Sequence, residues 1–109
     1  MNDIKVITET LLKFRDERDW AQFHIAKDLA LALNIEAGEL LEAFLWKSSE
    51  HADVDKVKEE LADVLTFAFL LAEKYDFDVK QIVLEKMEKN ALNYPVAKSK
   101  GSAKKYTEL

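Results

Sequence analysis

The chain has 109 residues, of which 49% are apolar and 34% charged, with two Gly and one Pro, as is typical of a small, ordered helical domain. It has no Cys, which excludes disulfides, thiolate nucleophiles and zinc-thiolate sites. The net charge is −5 and no apolar run approaches the roughly 20 residues of a membrane span, so we expect a cytoplasmic protein without nucleic-acid or membrane partners.

Four helices are predicted in chain order. The first covers about residues 3–18, and its apolar stripe has the three-and-four spacing of an amphipathic helix: Ile4, Ile7, Leu11 and Phe14. Residues 19–27 keep no clear stripe and are predicted as a connecting loop. The second helix is expected to begin near Asp28, a suitable N-cap.

The second helix, predicted to end near Trp46, is apolar nearly all round. One side carries Leu29, Leu33, Leu40 and Phe44, and another carries Leu31, Leu41 and Leu45. Such a helix must be buried on two sides. A chain this short has few elements to cover both, so we expect a homo-oligomer.

A polar turn over residues 47–53 precedes the third helix, predicted to reach about Tyr75. A fourth is predicted after residues 76–78 and ends near Asn93, because Pro95 cannot continue it. Residues 1–95 are thus predicted to form a single helical domain. Residues 96–109, with four Lys against one Glu, are predicted to form a basic, flexible tail.

Two acidic pairs, Glu36-x-x-Glu39 and Glu60-x-x-Asp63, lie at equal distances on either side of Ser49 and Glu50. If the chain turns back there, an antiparallel helix pair brings the four carboxylates together. Spacing alone is weak evidence, because acidic pairs on helices usually mark a solvated face.

Burial distinguishes the two pairs. Glu36 falls between the apolar positions of the second helix, and Glu60 lies likewise on the stripe of the third. Asp63 is the only charged residue between Leu61 and Ala72. Because unpaired buried carboxylates are costly, a positive partner is expected.

Salt bridges to Lys or Arg, or protonation of some carboxyls, would be the structural explanation. Neither apolar stripe offers a basic residue, so a metal is favoured, and oxygen ligands favour Mg²⁺ or Mn²⁺ over zinc. A di-iron site would require Glu-x-x-His motifs, which His24 and His51 do not complete.

Magnesium held by carboxylates usually meets substrate phosphates, and the chain has no GxxxxGK[ST] loop to bind them. Side chains on and after the fourth helix are candidates for the remaining phosphate charge: Lys86, Asn90 and Tyr94. Lys86 and Asn90 are four residues apart and share one face of that helix.

In combination, these residues resemble the MazG-like nucleoside triphosphate pyrophosphohydrolases, an all-α superfamily, and most closely its short, single-domain dCTP pyrophosphatase type. The resemblance runs from about Leu11 to Tyr106. It is carried by Arg18-Asp19-Trp20, Phe23-His24, Leu29 to Leu33, Glu36-Ala-Gly-Glu39-Leu, Trp46, Glu60-Leu-Ala-Asp63-Val, Lys86, Asn90 and Tyr94-Pro95.

The resemblance implies a four-helix core that assembles as an oligomeric bundle, either a dimer or a tetramer. It also implies hydrolysis of nucleoside triphosphates to the monophosphate and pyrophosphate, with dCTP-like substrates favoured. It assigns metal binding and catalysis to Glu36, Glu39, Glu60 and Asp63, and we favour Glu39 for handling the water. It also implies substrate contacts from Trp20, Phe23, His24, Trp46, Lys86, Asn90 and Tyr94. The alternative is a noncatalytic assembly module whose acidic interface is salt-bridged or stapled by a metal.

Overall fold

The computed structural model describes residues 2–109, which form five α-helices and no strand. The helices are α1 (Asp3–Glu17), α2 (Ala26–Glu42), α3 (Val54–Lys74), α4 (Val79–Asn93) and α5 (Val96–Ser99). Single 3₁₀ turns lie at Ala21–Phe23, Ser49–His51 and Tyr106–Glu108. The predicted all-α class is confirmed. The chain divides into two compact units, residues 1–76 and 77–109.

The first unit is built around α3, which packs extensively on α2 and more lightly on α1. Its buried core is small and consists of Leu29 on α2, Ala43 at the C-cap of α2, and Leu70 and Ala72 on α3. Asp53 caps α3, because its Oδ1 accepts the amides of Asp55 at 3.0 Å and Lys56 at 3.3 Å. The turn around Ser49–His51 therefore returns the chain along α2, as the acidic spacing predicted.

Helix α2 differs from its predicted bounds at both ends. Its N-cap is Ile25, and Asp28 lies inside the first turn, where a carboxylate favours the positive end of the helix. The predicted N-cap at Asp28 was wrong. At the other end the hydrogen bonds shorten to a three-residue spacing from Ala43 onward, so the helix ends at Glu42, before the predicted position near Trp46. Trp46 itself has a φ of +60°.

The second unit contains α4, whose predicted end near Asn93 is confirmed. Beyond Pro95, the segment expected to be irregular contains the single turn of α5. The Ser99 hydroxyl donates to the carbonyls of Tyr94 at 3.0 Å and Pro95 at 2.7 Å. The rings of Tyr94 and Tyr106 meet edge to face at 5.9 Å. The flexibility of the tail stays a prediction.

The outward side of α2 is strongly apolar. Leu31, Ile35 and Leu41 are 51%, 60% and 71% exposed, whereas Leu29 on the opposite side is 2% exposed. The two-sided character read from the sequence is therefore present, with one side packed inside the unit and the other uncovered in the single chain. Within residues 2–109, no helix combines the length and apolar character needed to cross a membrane.

Candidate functional site

Three carboxylates from two helices meet in the first unit. Glu36 on α2 and Glu60 and Asp63 on α3 each present one oxygen, and these three oxygens lie within 4.8 Å of one another. Glu60 and Asp63 share a face because they are three residues apart on one helix. The α2–α3 packing supplies Glu36 from the opposite side, so the pairing expected from the mirrored spacing is realised for these residues.

The electrostatics of the group show how closely it is packed. Burial raises the pKa of Glu36, and contact with Glu39 adds to the effect, so that the value reaches about 7. The negative charges of Asp63 and Glu60 also raise the pKa of Glu36. The pKa of Glu60 is also raised, by burial and then by Glu39. Glu39 therefore lies near both Glu36 and Glu60, although the three oxygens within 4.8 Å of one another belong to Glu36, Glu60 and Asp63.

The carboxylates lack a protein partner that would neutralise them. Glu36 Oε2 and Glu60 Oε2 are buried and accept no hydrogen bond. Asp63, which the sequence placed in an apolar stripe and predicted to be buried, is exposed, so that part of the prediction was wrong. Within residues 2–109, the ion pairs closer than 4.0 Å both involve Arg15, and neither includes these acids. Salt bridging, one of the two structural explanations for the cluster, is therefore not found in this part of the chain, whereas the other, protonation of some carboxyls, agrees with the raised pKa of Glu36. Orphaned carboxylate oxygens converging from two helices fit a hard divalent cation.

A cavity of about 240 Å³ adjoins this carboxylate group in the first unit. Glu36 and Asp63 form one part of its wall. The other lining residues come from α1, the turn after it and α3: Leu11, Phe14, Arg15, Trp20, His24, Thr66, Phe67 and Leu70. The cavity is smaller than the 300 Å³ at the lower end of ordinary ligand pockets. It can therefore hold a part of a nucleotide such as its base, with the remainder outside.

An aromatic wall, formed by Phe14 and Trp20, lines part of the same cavity. The Trp20 ring meets Phe14 edge to face, with ring centroids 5.8 Å apart. The backbone fixes this arrangement, because the amide of Trp20 donates to the carbonyl of Arg15 at 3.0 Å and Asp19 adopts a left-handed φ of 55°. Indole rings are suitable surfaces for stacking a base.

His24 contributes a polar group to the same cavity. Its Nδ1 is buried and has no hydrogen-bond partner. Burial lowers the pKa of His24, and the positive charges of Arg15 and Lys74 lower it further. The imidazole is therefore neutral at pH 7, when it offers one donor and one acceptor nitrogen.

The predicted substrate residues separate into three groups. Trp20 and His24 line the cavity. Phe23 and Trp46 do not line it and are 63% and 94% exposed. Lys86, Asn90 and Tyr94 belong to the second unit: the first two lie on α4, and Tyr94 is its C-cap. Their contacts with substrate stay predictions.

The profile of the MazG-like family matches residues 31–109, which cover most of the chain and include all four predicted carboxylates. The chain belongs to the MazG-like family. Its fold is also that of a crystallised pyrophosphatase from Archaeoglobus fulgidus. That match has a TM-score of 0.81 and 35% identity, over 87% of this chain and 94% of the other.

Relatives of this MazG-like chain include dCTP pyrophosphatase 1 of Mus musculus, 44% identical over 105 residues. The protein of the same name from Homo sapiens is 40% identical over the same length. Each match covers 89% of this chain but 62% of the relative. The MazG-like chain thus spans about three-fifths of the length of these relatives.

Sequence reasoning missed several residues of the cavity wall. Leu11, Phe14 and Phe67 stand on apolar stripes, and such a stripe does not reveal which of its members face a cavity. No sequence pattern indicated that Arg15 or Thr66 would line a cavity. Arg15 lies outside the stretch that matches the family profile, and its place in the cavity wall depends on a contact with Glu73 on another helix.

Proposed function

We propose that this MazG-like chain hydrolyses deoxynucleoside triphosphates to the monophosphate and pyrophosphate, with Mg²⁺ as cofactor, Mn²⁺ as a substitute and dCTP-like substrates favoured. The observation that carries the proposal is the carboxylate group, with its two orphaned buried oxygens, beside a cavity that has an aromatic wall. The names of the mammalian relatives support the choice of substrate. Because the chain spans only part of their length, that choice belongs to the proposal.

Glu36, Glu39, Glu60 and Asp63 would hold the cation. When bound, it would neutralise triphosphate charge and polarise the phosphorus under attack. Glu39 orients a water molecule and accepts its proton, while the water oxygen bonds to phosphorus and the bond between the α- and β-phosphates breaks. The proximity of Glu39 to both Glu36 and Glu60 supports this role, because a base there stands beside the phosphate end of the substrate.

The base would stack on Trp20 inside the cavity, with His24 beside it. Phe23 and Trp46 are proposed as further contacts to the base. Lys86 would contact the phosphates, Asn90 the sugar or base, and Tyr94 would lie close to them. The shared face of Lys86 and Asn90 on α4 supports their acting together.

The protein is proposed to act as a homo-oligomer, a dimer or tetramer. On a wheel of 100° per residue, Leu31, Ile35 and Leu41 fall within one arc of α2, and each is at least 51% exposed. Leu45, which follows the helix, is 55% exposed. Gly38 lies inside this arc, with nothing within 4 Å of where a Cβ would stand. A second helix could therefore approach closely at Gly38.

The cytoplasmic location expected from the sequence stays a prediction.

Incubation of the purified chain with Mg²⁺ and a panel of deoxynucleoside triphosphates tests the activity. We expect equal amounts of monophosphate and pyrophosphate, fastest from dCTP, and no reaction in EDTA. Release of diphosphate and orthophosphate, or no turnover of any triphosphate, would contradict the proposal.

The exposed apolar arc of α2 also favours a second candidate, the noncatalytic assembly module with a metal-stapled acidic interface. Thermal unfolding separates the two functions. A ligand that binds only the folded state raises the melting temperature, so an enzyme gains stability from Mg²⁺ and again from a nonhydrolysable triphosphate. An assembly module gains nothing from the nucleotide.

A further inference from the structure

Arg15 is a cation held inside the cavity wall. Its side chain is 18% exposed, and it lines the cavity from the last turn of α1. The guanidinium Nε donates to Asp16 Oδ1 at 2.8 Å, and Nη1 lies 3.8 Å from Glu73 Oε2 on α3. Asp16 therefore holds Nε, and Glu73 attracts the guanidinium without a hydrogen bond, so its other donors are not used by either acid.

The contacts of Arg15 place it at the aromatic end of the cavity. Its carbonyl accepts the amide of Trp20, the proposed stacking surface, at 3.0 Å. Its positive charge lowers the pKa of His24, which lines the same cavity. Arg15 thus adjoins Trp20 and His24, the proposed contacts of the base.

The guanidinium retains unpaired donors. An Arg side chain has five N–H groups in a rigid planar fork. Nε is used by Asp16, and 3.8 Å from Nη1 to Glu73 is too long for a hydrogen bond. Within residues 2–109, Nη2 has no hydrogen-bond or ion-pair partner. A half-buried fork with free donors suits an acceptor-rich ligand edge.

We propose that Arg15 is a specificity-determining residue, whose guanidinium donates two N–H groups to the adjacent O2 and N3 acceptors of a cytosine stacked against Trp20. This inference rests on the proposed function. Thymine and uracil place an N3–H donor next to O2, so the fork would lose one hydrogen bond and face a like dipole. Arg15 therefore favours cytosine over thymine.

The competing role for Arg15 is a phosphate contact, since guanidinium groups also bind phosphate bidentately. The two roles predict different kinetics. Loss of a phosphate contact lowers kcat/KM equally for every triphosphate and leaves the dCTP/dTTP ratio of kcat/KM unchanged. Loss of a base contact changes that ratio.

Steady-state hydrolysis of dCTP and dTTP by Arg15→Ala tests the proposal, with Lys13→Ala as control because Lys13 is an exposed cation on the same helix. One bidentate base contact gives about 1–3 kcal/mol of discrimination, so Arg15→Ala should lower the dCTP/dTTP ratio of kcat/KM about 5- to 150-fold. Arg15→Lys should restore only part of the ratio, because an ammonium is a point charge without the fork. Lys13→Ala should retain it.

Binding of dCMP and dTMP, measured by calorimetry, needs no turnover and keeps the two proposals separate. If the wild type hydrolyses triphosphates but Arg15→Ala keeps the wild-type base ratio in both assays, Arg15 does not select the base and the proposed function stands. If no triphosphate is hydrolysed but Arg15→Ala abolishes a preference for dCMP, the assignment of Arg15 stands without the hydrolase.

Arg15→Ala also removes the contact between α1 and α3, so its folding must be controlled. Glu73→Gln loosens the same contact while leaving the guanidinium in place. It shows how far loss of this ion pair alone lowers the melting temperature, and it should keep the base preference. If Glu73→Gln loses the preference to the same extent, the effect of Arg15 is structural and the proposal is overturned.

Discussion

Glu36 on α2 and Asp63 on α3 bring one carboxylate oxygen each to within 4.8 Å, although they are 27 positions apart in the chain. Two like charges at this distance repel each other, and Glu60 adds a third. The α2–α3 packing therefore holds an arrangement that is unfavourable unless protons or a cation compensate it. This balance makes the site testable through stability as well as through activity.

Glu60→Gln should abolish hydrolysis without unfolding the protein. The amide keeps the size of the side chain but removes one negative charge, so repulsion within the group falls while affinity for the cation is lost. We expect the melting temperature in EDTA to equal or exceed that of the wild type, and the increase produced by Mg²⁺ to disappear. Differential scanning calorimetry and the pyrophosphate assay measure both effects.

Glu59→Gln is the matched control, because Glu59 is the exposed neighbour of Glu60 on the same helix. It should retain both turnover and the response to Mg²⁺. Full activity of Glu60→Gln would remove Glu60 from the proposed site. Loss of both properties in Glu59→Gln would show that the assay reports the general charge of α3.

The metal-free protein should become less stable as the pH rises from about 4.5 to about 7. Burial raises the pKa of Glu36 from its ordinary value of 4.5 to about 7, and its carboxylate neighbours act in the same direction. The folded state therefore binds the proton more tightly than the unfolded state. The resulting stability is fully present below the unfolded pKa and is lost as the pH rises through the folded one.

Melting curves in EDTA between pH 4.5 and 8.5 measure this loss. A cation competes with protons for the same oxygens, so the stabilisation by Mg²⁺ should grow over the same range. Glu36→Gln should flatten both dependences. A metal-free stability that increases through this window would contradict the assignment of a raised pKa to Glu36.

The carboxylate group could be predicted from sequence because helices are regular. The equal spacing of Glu36 and Asp63 about one turn, together with their apolar neighbours, determines which residues meet once α2 and α3 pair. The end of α2 could not be predicted, because the apolar pattern continues to Trp46 although the hydrogen bonds change to a three-residue spacing from Ala43 onward. The position of Arg15 in the cavity wall could not be predicted either, because its partner Glu73 comes from another helix.

Leu41→Lys should dissociate the proposed oligomer. Leu41 is 71% exposed in the single chain, so the substitution costs little in a monomer but places a charge in an apolar interface. Light scattering should give the mass of a smaller assembly, whereas Leu41→Met, which keeps the apolar surface, should retain the wild-type mass. A wild type that is monomeric at micromolar concentration would contradict the interface.

Trp46 is expected to act on the site of a neighbouring subunit. It is 94% exposed, and its φ of +60° is a conformation that bulky residues rarely adopt. Such strain costs about 1–3 kcal/mol and is usually retained where function requires it. Trp46→Ala should therefore lower kcat/KM about 5- to 150-fold, the range for loss of one stacked base, while Trp46→Phe should lose much less.

Mixing Trp46→Ala with Glu60→Gln distinguishes action on a neighbour from action within one chain. If each site takes its carboxylates from one subunit and its Trp46 from the partner, half of a randomly mixed dimer population contains one intact site. Activity should then rise to about one quarter of the wild type after subunit exchange, by the symmetry of a two-fold dimer. If Trp46 serves its own chain, no mixed dimer contains an intact site, and the mixture stays at the average of the two variants.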